Sequence, residues 1–149
     1  MSGERLRGEN GKHGGLVAGV LQSIQLLVAD LDTTEAFYGG ILDLPVQRAL
    51  TSFGAPEHLL LSLGETKVIF VEQEEVSRRH PVLEARLQAF PLGVGMTLHV
   101  EVQGIEDIYQ ELLDEELEVL YPLELKPYGT RELWCFDPDG YLVVLEESI

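Results

Sequence analysis

The stretch "SIQLLVADLDTTEAFYGGILDLPV", residues 23–46, decides the fold, because the chain carries its pattern a second time. The second copy is "TLHVEVQGIEDIYQELLDEELEV", residues 97–119. Each copy begins as a short alternating strand that ends at a valine, Val28 or Val102. An acidic turn with an aliphatic residue inside it follows (Leu31 or Ile105), and then a helix. A further strand starts near Pro45–Val46 or Val119–Leu120. Self-similarity of this kind marks a repeated supersecondary unit.

The continuations correspond as well. "FGAPEHLLLSLGETKVIFVEQE", residues 53–74, reads as a hairpin turning at "LGET", and "YGTRELWCFDPDGYLVVLEE", residues 128–147, as one turning at "DPDG". Both turns supply the Gly and acidic residues that tight reversals need. Phe53 aligns with Tyr128 (128 − 53 = 75) and Val71 with Leu145 (145 − 71 = 74). Each unit is strand, helix, then three strands. The expected organisation is a polar, Gly-rich tail over residues 1–19 and one α+β domain over 20–149. That domain is made of tandem βαβββ modules, 20–75 and 95–149, joined by a linker, 76–94.

Local signals agree with this layout. Asp32 followed by Glu35 predicts a capping-box-like helix start. Ile105, Ile108, Tyr109 and Leu112 fall on one helical face, a core stripe. In the linker, Leu83, Leu87 and Phe90 predict a short helix over residues 81–90, with Pro81 in its first turn.

Composition narrows the function classes. Of 149 residues, 26 are acidic and 10 basic, a formal charge of −16 that repels phosphate backbones and excludes nucleic acid as an expected partner. No apolar run approaches the ~20 residues that span a bilayer, so no membrane association is expected. Cys135 is the only cysteine, which rules out an intrachain disulfide or a Cys-based zinc site within one chain and suits a cytoplasmic location. Its run, "RELWCF", is apolar on both faces, so the thiol reads as core and the strand as buried on both sides.

The layout resembles the vicinal oxygen chelate superfamily, which comprises glyoxalases, extradiol dioxygenases and fosfomycin- and bleomycin-resistance proteins. "VADLDTTEAFYGGILDLPV" and "YGTRELWCFDPDGYLVVLEE" carry the resemblance, which extends over about residues 20–147. It departs at Asp43-Leu44, where Gly-Leu is usual, and at Tyr141, where Asn often follows "DPDG". The resemblance implies strands curled around a shared cavity and a homodimer. It further implies metal-ligand positions on the first and last strand of each module. These map to Ser23 and Thr97, and to Phe70 and Val144; the spacings match, 70 − 23 = 47 and 144 − 97 = 47. Ser and Thr hydroxyls are poor donors at neutral pH, and Phe and Val offer none, so no metal cofactor is expected at these four positions.

A displaced metal site stands as the alternative. Strand alternation puts Thr97, His99 and Glu101 on one face, and Leu142, Val144 and Glu146 on another. His99, Glu101 and Glu146 could then hold a divalent metal; otherwise His99 is polar cavity wall and the two glutamates face water. If the modules pair as in the family, Ser23, Gln25, Thr97 and His99 form a polar patch in a lining completed by Phe70 and Val144. Such a mix suits a small organic molecule that is neutral or partly polar. His99 is either a hydrogen-bonding wall residue or a general acid or base. Arg131 either pairs with Asp137 or Asp139 or anchors an anionic ligand. The first expectation is therefore a metal-free small-molecule-binding protein. A metal-dependent lyase, isomerase or dioxygenase with displaced ligands is the second, and a ligand-independent dimerisation module the third. Whether the chain is an enzyme stays open at this point.

Overall fold

The computed structural model describes residues 19–49 and 56–149. The tail expected over 1–19 lies, but for Gly19, outside the described residues, as does the Phe53-Gly54 alignment. The first module runs β1 (Ile24–Val28), α1 (Leu31–Glu35), β2 (Val46–Ala49), β3 (His58–Leu63) and β4 (Thr66–Glu72). Two helices follow, α2 (Gln73–Arg79) and α3 (Pro81–Ala89). The second module runs β5 (Thr97–Glu101), α4 (Ile105–Asp114), β6 (Val119–Leu125), β7 (Thr130–Phe136) and β8 (Leu142–Ser148). Each module forms one four-stranded sheet, in the orders β1-β4-β3-β2 and β5-β8-β7-β6. In each, the first strand lies parallel to the last and the other pairings are antiparallel. Among the described residues no helix is long and apolar enough to cross a membrane.

Both sheets bury one face against the helices. Leu26, Val28, Val68 and Phe70 of the first and Val100, Leu133, Val143 and Leu145 of the second share one core with Leu31, Phe37, Ile105 and Leu112. The other face of each sheet is open. The stripe on α4 behaves as its spacing predicts: Ile105, Ile108 and Leu112 are buried and Tyr109 is half-buried. After α1 the backbone widens into a π-helical segment, Ala36–Ile41, closed by Leu42 N–H donating to Phe37 C=O at 3.0 Å. The wider turn carries two successive aromatic residues, Phe37 and Tyr38, into the core together, where their rings meet edge to face at 5.0 Å.

The helix caps differ from the expected capping box. The N-cap of α1 is Asp30, whose Oδ2 accepts from Thr33 N–H at 3.1 Å and from Thr33 Oγ1 at 2.6 Å. A second acceptor comes from the sheet: Leu31 N–H donates to Glu72 Oε2 at 3.0 Å. In the second module that role falls to Glu147, whose two oxygens accept from Gly104 and Ile105 N–H at 3.0 and 2.9 Å. The last strand of each module thus carries the carboxylate that caps the same module's helix. The equivalence of Glu72 and Glu147 sets the offset of the last strands at 147 − 72 = 75, one more than the sequence alignment assigned.

That single residue reverses a face. Gln25 pairs with Ile69 and His99 with Val144, so the repeat partner of Val144 is Ile69. Phe70 pairs with Leu26, is fully buried on the helix side, and packs on Tyr38 at 4.8 Å between ring centroids. The equal spacings of 47 matched positions on opposite faces.

The linker also departs from its expected form. It contains α3 as anticipated, but α2 precedes it, and α3 packs on α2 without burying any residue. Leu83 and Phe90 are exposed and Leu87 is half-buried, so the stripe is no core contact. Beyond α3, Gly93 (φ +84°) lies against the turn between β7 and β8: a Cβ there would sit 2.6 Å from the carbonyl carbon and oxygen of Gly140.

Candidate ligand site on the open face of the second sheet

Strand register orders the open face of the second sheet into rows. Across β5, β8, β7 and β6, His99 pairs with Val144, Val144 with Trp134, and Trp134 with Tyr121. The next row is Glu101, Glu146, Glu132 and Glu124, joined by the same pairings. On the other side lie Thr97, Leu142 and Phe136. A register shift in β6 between Tyr121 and Glu124 keeps both on the face of their partners despite three residues of separation against two.

A cavity of about 590 Å³ opens over this face, lined by Tyr121, Leu123, Glu124, Lys126, Glu132 and Trp134, among others. The volume falls in the range of small-molecule sites. Trp134 and Tyr121 stand edge to face, ring centroids 5.2 Å apart. Between the aromatic wall and the strand ends sits Glu132, only 8% exposed. Its Oε2 accepts from Tyr128 Oη at 2.5 Å and its Oε1 from Trp134 Nε1 at 3.2 Å. The Tyr128 hydrogen bond is the main reason that its carboxyl titrates below the usual range, so it is ionised at neutral pH. Lys126 Nζ is ion-paired with Glu124 at 2.8 Å.

The expected site residues divide. Thr97, His99 and Val144 come together on this open face, with Val144 buried between His99 and Trp134, but none of the three is among the residues that line the cavity, which lies over β6 and β7. Ser23 and Gln25 occupy the equivalent positions of the first module and are exposed; Ser23 borders a separate depression with Glu65, Thr66 and Lys67. Phe70 lies on the opposite face of its sheet and does not line the site. Arg131 sits in β7 between the open-face residues Thr130 and Glu132 and reaches Glu106 of α4 at 3.5 Å. Neither expected partner takes it: Asp137 Oδ2 accepts from Tyr38 Oη at 2.7 Å, and Asp139 Oδ1 from Ala29 N–H at 2.8 Å.

The sequence pattern does not single out Tyr121, Lys126, Tyr128 or Glu132, and with apolar residues on both faces of β7 it does not say which face meets the cavity. The available signal was the alternation of Glu132, Trp134 and Phe136. The strand is not buried on both sides: Leu133 and Cys135 are fully buried, while Trp134 and Phe136 are half-exposed. Burial pushes the Cys135 thiol up to about 12, with Asp137 adding to the shift, so it is unreactive at neutral pH.

At the family's metal positions the structure puts Ser23, Thr97, Val144 and, in place of Phe70, Ile69. Two hydroxyls and two aliphatic groups do not fit a divalent transition metal, which needs three or four good N, O or S donors. Glu101 and Glu146 are paired directly, and His99 shares their face. Among the described residues, however, no three His, Cys, Asp or Glu side chains converge as a metal-holding group.

Paired βαβββ modules, each an open-faced sheet backed by its helix, define the glyoxalase-like class of fold. A model of the Glyoxalase/Bleomycin resistance protein/Dioxygenase superfamily matches residues 20–145, and the chain belongs to that superfamily. No curated protein matches it. Three solved structures illustrate the likeness of fold. A protein of unknown function from Agrobacterium tumefaciens is 21% identical, with 91% of this chain and 98% of that one covered and a TM-score of 0.62. TioX from a Micromonospora species is 16% identical, with 88% and 100% covered and a TM-score of 0.58. A lactoylglutathione lyase from Agrobacterium tumefaciens is 20% identical, with 87% and 93% covered and a TM-score of 0.54.

Proposed function

We propose that this chain is a small-molecule-binding member of the superfamily that works without a metal, and that its ligand lies over the open face of the second sheet. The observation that carries the reading is the cavity of about 590 Å³ walled by Trp134 and Tyr121, with a buried carboxylate at its edge. Large aromatic surfaces supply affinity, and a few fixed polar groups supply orientation. His99, on the same open face but on β5, two strands from β7 and outside the cavity lining, would act only as a polar group bordering the ligand. The homodimer and the cytoplasm belong to the same reading. Exposed Leu120, Leu125, Tyr128 and Ile149 support the dimer, since a second copy would cover them.

Thermal shift against an organic-ligand panel, together with metal analysis of the purified protein, tests this. A ligand at 100 times its dissociation constant stabilises by about 2.7 kcal/mol, and Trp134→Ala should abolish the shift. A stoichiometric metal that is lost on His99→Ala would instead favour a metal-dependent lyase, isomerase or dioxygenase using His99, Glu101 and Glu146. If no compound shifts melting and a dimer fills the cavity with side chains, the chain is a dimerisation module.

A further inference from the structure

We propose that the ligand of this cavity is an organic cation with a flat apolar body, its positive group held by Glu132 and its body laid against Trp134 and Tyr121. This rests on the cavity being a ligand site, and it adds the charge of what enters.

The argument starts from Glu132. Both of its hydrogen-bond donors, Tyr128 Oη and Trp134 Nε1, are neutral. Among the described residues no Lys, Arg or His lies within ion-pair distance of it; Lys126 is committed to Glu124, while Lys126 and His99 act on Glu132 only from farther off. Glu132 is thus an ionised side chain, only 8% exposed, whose charge meets no cationic partner among the described residues, and each oxygen keeps a lone pair free for another donor. A ligand ammonium or amidinium would answer both needs.

The surrounding row points the same way. Glu101, Glu146, Glu132 and Glu124 lie directly opposite one another across all four strands. Like charges so placed repel. Strands spaced by about 4.8 Å spread the four carboxylates along a line rather than around a point, in keeping with the absence of a metal-holding group among the described residues. The repulsion is therefore relieved by a cation carried on a larger body. One row away, Trp134 and Tyr121 offer aromatic faces and edges at 5.2 Å centroid separation, surfaces that attract flat molecules and cations alike. An anionic ligand would meet carboxylates along this row, and Lys126, which lines the cavity, is already paired with Glu124. The chain's formal charge of −16 would also speed the encounter with a cation.

Three probes of matched shape test the proposal: naphthylmethylammonium, naphthylmethanol and naphthylacetate, titrated by calorimetry at low and high salt. The chain has one tryptophan, so its single indole N–H resonance reports on the group that donates to Glu132. The ammonium probe should bind at least about tenfold more tightly than the alcohol, as a charge-assisted hydrogen bond requires. It should move the indole resonance, and it should weaken with salt. Glu132→Gln, which keeps an acceptor but removes the charge, should bring cation and alcohol to within about twofold of each other. Should that variant not fold, Glu146→Gln should reduce the cation preference by a smaller factor. Equal binding of ammonium and alcohol, or an undiminished preference in the variants, would overturn the charge assignment and leave the ligand site standing. No binding by any probe, with the indole signal unmoved, would overturn the site as well.

Discussion

Tyr38 and Asp137, 99 residues apart in sequence, meet in the core, the tyrosine hydroxyl donating to Asp137 Oδ2 at 2.7 Å. The contact joins the π-helical segment of the first module to the "DPDG" turn of the second. The other oxygen of Asp137 is satisfied within its own turn by Asp139 and Tyr141 N–H at 2.8 and 3.0 Å. Tyr38→Phe therefore leaves one buried carboxylate oxygen without a donor. The expected cost is about 1–3 kcal/mol, read from chemical denaturation, with the ligand site unchanged.

The register of the first sheet predicts a contrast between neighbours. Phe70→Ala removes a fully buried ring from the helix face and should cost about 3–5 kcal/mol. Ile69→Ala, on the half-exposed open face, should cost less than half as much. Equal costs, measured by urea unfolding, would restore the opposite register.

Glu147 gives the acid limb of stability a specific source. The N–H groups of Ile105, first, and Gly104 hold its carboxyl below the usual glutamate value of 4.5. A carboxylate with a depressed folded-state value stabilises fully above the unfolded value, and that contribution disappears as pH falls through the folded one. Glu147→Gln should lower the melting temperature at neutral pH and flatten its decline as pH falls through and below the ordinary glutamate value. Glu146→Gln, whose side chain is on the open face, should leave the α4 cap intact.

Gly93 should tolerate no side chain. Its φ of +84° already disfavours any other residue, and an added Cβ would meet Gly140 backbone at 2.6 Å. Backbone strain alone predicts at least ~1 kcal/mol for Gly93→Ala; the displaced turn adds to this. Neighbouring Gly95, with a similar φ of +86° but open space around it, should cost only the backbone part.

The repeat was legible because both copies write their turns and helix stripes in strong residue chemistry. The phase of a strand was legible only where its faces differ. In "TLHVEV" polar Thr97, His99 and Glu101 alternate with Leu98, Val100 and Val102, and the structure places them accordingly. In "VIFV" all four residues, Val68 to Val71, are apolar, so nothing in the run says which pair meets the helix. Counting spacings across the repeat then put Phe70 where Ile69 belongs. The same ambiguity hid Trp134. Glu132 went unread because its value comes from Tyr128 and Trp134 folding onto it, and the Tyr38–Asp137 contact has no local signal at all. Within "DLD" the helix cap belonged to Asp30, since only there does the backbone leave the helix in an extended conformation.

The Tyr38–Asp137 clasp exists once, although the unit exists twice. At the corresponding places, 38 + 74 = 112 and 137 − 74 = 63, the chain has Leu112 and Leu63, which cannot reproduce it. The halves have thus become lock and key, each fitted to the other and no longer to itself. Joining two copies of the first half, or two of the second, would yield a chain with correct strands and helices but no polar clasp between them.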